Sequence, residues 1–143
     1  LNMAKKKKAR PISKLKKDLD KWFSLYVRLR YATTEGMTQC VTCGDVKHYK
    51  SMHCGHFMSR VHHSTRWHED NCEVQCIGCN LYKQGQQYLF SVHIDNKHGE
   101  GTADELEFLS RTTVKYMRCD YEEQIEHYKT TVRQLINDKQ IEI

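Results

Sequence analysis

Cys40-Val41-Thr42-Cys43 and Cys76-Ile77-Gly78-Cys79 each have the spacing of a two-thiolate half of a zinc site, and together they offer the four sulfurs of a closed, tetrahedral structural ion. A four-cysteine ribbon separates its halves by roughly 15–20 residues. Here the gap is longer, and it carries His53, His56, His62, His63, His68 and Asn71. An ion needed only to close a loop would not require that polar cargo. The stretch reads as a zinc staple holding a polar site. The competing reading, two separate redox Cys-x-x-Cys motifs, calls for a strand-to-helix turn within a βαβ pattern, and neither pair sits in one.

The rest of the composition fits a metal-assisted fold. The chain has 143 residues, 38% hydrophobic and 29% charged, which is one domain's worth with a thin core. Its formal net charge is +5, with much of the excess in Lys5, Lys6, Lys7 and Lys8 and in Arg10, Lys14, Lys16 and Lys17 beyond them. A basic run beside a helix favours a polyanion such as DNA; the plainer alternative is a solvated tail. Seven cysteines, four of them in metal-type pairs, are not a disulfide framework. No signal-peptide pattern and no stretch long enough for a bilayer is seen, so the expectation is a soluble cytoplasmic protein with reduced thiols and no membrane partner. Cys54, Cys72 and Cys119 are left over and read as small packing residues, Cys54 being the one close to the polar site.

Periodicity sets the organisation: a basic tail over 1–12, a helix plus zinc-knuckle core over 13–99, and a helical extension of the same domain over 100–143. Leu15, Leu19, Trp22, Phe23, Tyr26 and Leu29 fall three or four apart on one helical face. A knuckle with a short hairpin follows over 38–50, turned at Gly44-Asp45, then a strand over 51–57 and a polar loop over 58–71. A helix is expected over about 80–97, loosened at Gly85. Thr102-Ala103-Asp104-Glu105 has the capping-box signature of another helix start, and Asp120 with Glu123 repeats it. Tyr121, Ile125, Tyr128, Val132 and Leu135 form a last stripe that packs on the same domain or serves as a dimer seam. The fold class is therefore α+β: a zinc-stapled β-hairpin and helix between N- and C-terminal helices.

Within this frame His56 is the side chain suited to take a proton from water near neutral pH. Phosphodiester hydrolysis also needs a divalent ion to hold the phosphate and offset charge on the leaving oxygen. Asn80 follows Cys79 directly, so the knuckle itself would aim its amide oxygen. Asn71, before the second knuckle, is suited to bonding backbone and holding the loop.

The run Cys-x-x-Cys, Gly55-His56-Phe57, Glu69-Asp70-Asn71, Gln75-Cys76-x-x-Cys79-Asn80-x-x-Lys83 resembles the HNH endonucleases, whose site is a treble-clef-like ββα-metal finger. More narrowly, it resembles the phage recombination endonucleases called NinG or Rap, over about residues 15–99. A four-cysteine zinc with this histidine and asparagine is also similar to the endonuclease VII type of junction resolvase. The resemblance implies Mg²⁺- or Mn²⁺-dependent cleavage of DNA, with branched intermediates such as Holliday junctions as substrates and 5′-phosphate and 3′-hydroxyl products. His56 would be the general base, Asn80 a ligand of the catalytic ion, Asn71 the middle asparagine, and Cys40, Cys43, Cys76 and Cys79 the structural zinc ligands. The HNH pattern often has Asp directly before the histidine, and this chain has Gly55. His53 is the substitute, though an extended strand would send His53 and His56 to opposite faces unless Gly55 allows a bulge. If His53 ligates, ions more tolerant of nitrogen than Mg²⁺ are favoured.

Arg60, Arg66 and Lys83 are candidates for phosphate contact beside the lysine tail. Symmetric resolution of a junction implies a homodimer, with the two amphipathic helices as candidate surfaces. A zinc ribbon that binds DNA without cutting it, and a thiol oxidoreductase, remain as competing functions.

Overall fold

The computed structural model describes residues 8–142; Lys5, Lys6 and Lys7 of the basic tail lie outside them, and Lys8 is exposed. Helix α1, Ile12–Leu29, starts behind Pro11, whose fixed φ and missing N–H suit a helix entry. It buries Leu15, Leu19, Phe23, Val27 and Leu29. Trp22 and Tyr26, read as part of the same face, pack at its margin.

The chain then forms two small antiparallel hairpins. Strands β1, Met37–Gln39, and β2, Val46–His48, flank the first knuckle, which turns at Gly44 with φ +83°, a conformation that favours glycine. Strands β3, Met52–His56, and β4, Cys72–Cys76, pair with Met52 opposite Cys76 and His56 opposite Cys72. Val41 N–H donates to the Val74 carbonyl, 3.0 Å, and so ties the first knuckle to β4.

Cross-strand pairing divides β3–β4 into two faces. Met52, Cys72, Val74 and Cys76 join Leu15, Leu19 and Phe23 in the main core. Glu73 and Gln75 face the other way and are just as buried. Gln75 donates to Thr42 Oγ1 and to the Gly85 carbonyl, 3.1 and 2.8 Å. Glu73 takes Arg30, His93 and Lys97 as partners.

The expected helix over 80–97 is two pieces. A π-helical turn, Gly78–Tyr82, carries Asn80, and α3 is Gln87–His98. Gln84, Gly85 and Gln86 between them have φ near +50 to +80°, so the break is a reversal of backbone hand rather than a loosening. The polar loop also holds more structure than expected, a one-turn helix α2, His63–Arg66, and a 3-10 turn at Glu69–Asn71.

Helix α4, Thr102–Ser110, has no side-chain cap from Thr102; Gly101 stands at its N-cap, and Asp95 Oδ1 of α3 accepts from Ala103 N–H, 2.8 Å. Neighbouring α3 thus supplies what the capping box was expected to. Helix α5, Arg118–Lys139, begins with Asp120 reaching back to Met117 N–H, 2.7 Å. Its stripe of Tyr121, Ile125, Tyr128 and Val132 is buried, and Phe23 meets Tyr128 edge-on with ring centres 5.1 Å apart. The two helices nominated as dimer surfaces therefore cover each other. Lys139 closes the pair, donating to the Leu29, Arg30 and Ala32 carbonyls at 2.9–3.0 Å.

Candidate metal cluster and groove

One ligand atom from each of Cys40, Cys43, Cys76 and Cys79 lies within 4.8 Å of the others. Cys43 and Cys76 sulfurs are 3.6 Å apart, close to the ~3.8 Å that tetrahedral zinc with 2.3 Å Zn–S bonds requires. Cys79 N–H points at Cys76 Sγ, 3.4 Å, as knuckle amides do toward a thiolate. The thiols perturb one another strongly. Cys40 is lowered to about 6: burial opposes ionisation, but the Thr42 hydroxyl and nearby backbone N–H groups outweigh it. Cys43 is raised to about 12; a bond from Asp45 favours its thiolate, and burial together with the crowding of the other three sulfurs overrides that bond. Four sulfurs this close ionise together only around a cation. The cluster can hold a metal such as zinc.

Beside it runs an open groove of ≈ 670 Å³ along the free edge of β3, lined there by His53, Cys54 and His56, by Asn80 of the π-helical turn, and by Arg60. Its opposite wall is α1, with Lys17, Asp20, Lys21, Ser24 and Arg28. The β3–β4 ladder is unbroken, so the bulge considered at Gly55 is absent. Gly55 has a different cause: a Cβ there would stand 2.1 Å from Gln75 Oε1. His53 and His56 accordingly leave opposite faces of β3, and both reach the groove because, among the described residues, no strand pairs with β3 on that side.

His53 Nδ1 accepts from Asn80 Nδ2 at 3.0 Å. His56 is half-buried, with Nε2 2.9 Å from the Arg66 carbonyl; a carbonyl only accepts, so that nitrogen carries the proton and Nδ1 the lone pair. Burial, the largest effect, lowers the pKa of His56, partly offset by its bond to the Arg66 backbone. The imidazole is therefore neutral at neutral pH.

Asn71 is fully buried. Its Oδ1 accepts from Met58 N–H, 2.8 Å, and its Nδ2 donates to the Met58 and Thr65 carbonyls, 3.1 and 3.0 Å. It holds the loop that presents the Arg66 carbonyl to His56 and does not itself open on the groove.

Asp20 organises the other side. It pairs with Arg60, 2.8 Å, and with Arg66 through Nε, 3.0 Å, and accepts from Trp67 Nε1, 2.9 Å. Its pKa is lowered: burial pushes upward, and the Arg66 bond and the two guanidinium charges prevail. Arg66, stacked on Trp67, is thus engaged internally, whereas Arg60 is exposed at the rim. Lys83 is exposed on the turn after the π-helical segment and is not among the groove's walls.

Lys21 and Arg28 join the groove beside Lys17 of the basic run, although no motif marks them. The signal was present as a polar stripe at helical spacing, Lys17, Lys21, Ser24 and Arg28, flanking the apolar one.

The family model described as NinG, Bacteriophage Lambda NinG protein, matches residues 2–138. The chain belongs to the NinG family. No curated protein and no solved structure matches it. Among the described residues no helix is long and apolar enough to cross a membrane.

Proposed function

We propose that this NinG-family chain is a metal-dependent DNA endonuclease of the HNH, ββα-metal type, acting on branched recombination intermediates such as Holliday junctions. The observation that carries the reading is the meeting of His56, His53 and Asn80 in one groove whose facing wall is basic. His56 is neutral, fixed by the Arg66 carbonyl, and has one ring nitrogen free to take a proton from an attacking water. Lys17, Lys21, Arg28 and Arg60 provide positive potential for a phosphate backbone.

The residues that would hold the exchangeable ion are Asn80, through Oδ1, and His53, whose Nδ1 would exchange its bond from Asn80 Nδ2 for the ion. One amide oxygen and one imidazole suit Mn²⁺ or a similar ion better than Mg²⁺, which prefers all-oxygen surroundings. Such an ion supplies a grip on the scissile phosphate and offsets charge on the leaving 3′ oxygen. The cysteine cluster fixes the start of the turn on which Asn80 rides, and Asn71 fixes the loop behind His56.

The test is incubation of the full chain with linear, nicked, flapped and four-way DNA under Mg²⁺ and Mn²⁺. Cleavage to 5′-phosphate and 3′-hydroxyl ends is expected, and His56→Ala is expected to bind DNA without cutting it. Equal cutting by that variant removes the base assignment. Absence of cleavage on every substrate with every ion would leave the zinc-stapled DNA-binding module as the better reading. A homodimer on a junction would have to form through a surface other than the seam between α1 and α5, which is internal.

A further inference from the structure

A second group of metal-ligating side chains converges among the described residues: one ligand atom from each of Cys54, His56 and Cys72 lies within 4.8 Å of the others. The hairpin register explains the meeting. Cys54 and His56 share a face of β3, and Cys72 of β4 stands directly opposite His56. Cys72 is fully buried and forms the floor, while Cys54 and His56 line the groove and give an ion a way in. The Arg66 carbonyl lies at the same point, 2.9 Å from His56 Nε2 and 3.7 Å from Cys72 Sγ. Two sulfurs and an imidazole are a soft donor set, matched to Zn²⁺ or Cd²⁺ rather than to Mg²⁺ or Ca²⁺. With three protein ligands, a fourth position stays open toward the groove.

We propose that Cys54, His56 and Cys72 form a second site for a thiophilic divalent ion, separate from the four-cysteine cluster, and that filling it withdraws His56 from chemistry. Binding is an exchange without redox change: each thiol releases its proton to solvent as its sulfur bonds the ion, and His56 contributes a ring lone pair. Nδ1 carries that pair already; ligation through Nε2, which shares the Arg66 carbonyl with Cys72, would supply it by moving the Nε2 proton to Nδ1. The site fills after the four-cysteine cluster, because it has one ligand fewer and one thiol without solvent access. The inhibitory half rests on the endonuclease reading; the ion site does not.

The experiment counts zinc by elemental analysis in the full chain, equilibrated with excess zinc under a phosphine reductant and then desalted, which strips an ion held only by Asn80 and His53 and leaves thiolate-bound zinc. Two ions per chain are expected for the wild type. One is expected for Cys54→Ser and for His56→Gln, both at positions reached from the groove, with near-UV circular dichroism confirming that the variants fold. A single ion in the wild type, or two in both variants, overturns the site. In Mn²⁺-supported cleavage, zinc should inhibit the wild type. Cys54→Ser, compared with its own zinc-free rate, should need at least about tenfold more zinc, the loss expected when even an outer partner of a metal ligand is removed. Equal zinc sensitivity overturns the inhibitory half. If nothing cleaves, the endonuclease reading fails while the zinc count still decides the site.

Discussion

Replacing Asn71 with alanine tests whether the loop behind His56 is held by one side chain. Asn71 makes three hydrogen bonds, to Met58 N–H and to the Met58 and Thr65 carbonyls, from a fully buried position. The truncation leaves one N–H without its partner, at about 1–2 kcal/mol, and two carbonyls each short of one donor, at about 0.5–1 kcal/mol apiece. The expected loss is about 3 kcal/mol. For a chain of this size that lowers the melting temperature by about 10 °C, read by circular dichroism at a fixed saturating zinc concentration, since zinc binding and folding are linked. Asn71→Asp should be no milder: it keeps the acceptor for Met58 N–H, loses both donors and buries a charge. The local consequence is as specific. Thr65 precedes Arg66, whose carbonyl fixes the His56 tautomer, so imidazole ¹⁵N spectra should show His56 protonated at Nε2 in the wild type and at both nitrogens in exchange in the variant. A loss below about 1 kcal/mol, or an unchanged His56 spectrum in a variant that has lost stability, would refute the clamp.

Three further outcomes follow from interactions elsewhere. Glu73 is lowered to about 2 from an ordinary 4.5: burial pushes the other way, and His93, Arg30 and Lys97 overcome it. Because the folded carboxyl is the stronger acid, its contribution is present above pH about 4.5 and is lost as pH falls toward 2. It amounts to about 3 kcal/mol at neutral pH, and Glu73→Gln should flatten acid unfolding in that window; an unchanged acid limb would count against the network. Lys139→Met removes three charge-assisted bonds to carbonyls at the end of α1 and should cost about 2 kcal/mol in denaturant unfolding, with no loss expected if α5 merely rests on α1. Lys17→Ala with Lys21→Ala should lower the slope of log binding constant against log salt by about 0.9 for each duplex phosphate that is no longer neutralised; an unchanged slope would place the DNA elsewhere.

Signals carried by spacing were legible in the sequence, and signals carried by what a residue faces were not. The Cys-x-x-Cys pairs gave the cluster, and the stripes on α1 and α5 gave two helices, because a single periodicity suffices for each. At strand β4 the apolar–polar alternation signals a strand but misreports its burial. Glu73 and Gln75 alternate with Cys72, Val74 and Cys76 as if one face met solvent, yet both faces are covered, and the polar side is buried through partners 10 to 43 residues away in the chain. The break in the helix after Cys79 escaped for a related reason, since Gln84 and Gln86 adopt a left-handed backbone that glutamine gives no local cause to expect. The Gly85 carbonyl in that reversal accepts from Gln75, so tertiary context overrides local preference there.

The same distinction explains the site. His56 and Asn80 stood out because each adjoins a recognisable motif, and Asn71 could be read as a holder of backbone from its residue type. The wall that faces them could not be found that way. Lys17, Lys21 and Arg28 belong to a helix whose apolar stripe already accounted for its pattern, and only the docking of that stripe on Met52, Cys72 and Val74 turns the neighbouring polar stripe toward His56. Docking therefore fixes both the core and the groove. A substitution such as Leu19→Ala, which should cost about 2–5 kcal/mol by leaving a cavity, would also move the basic wall. Its effect on DNA affinity should exceed that of a core cavity of similar cost under Phe90, whose cluster of Phe57, Ile94, Ala103 and Leu106 contains no residue of α1.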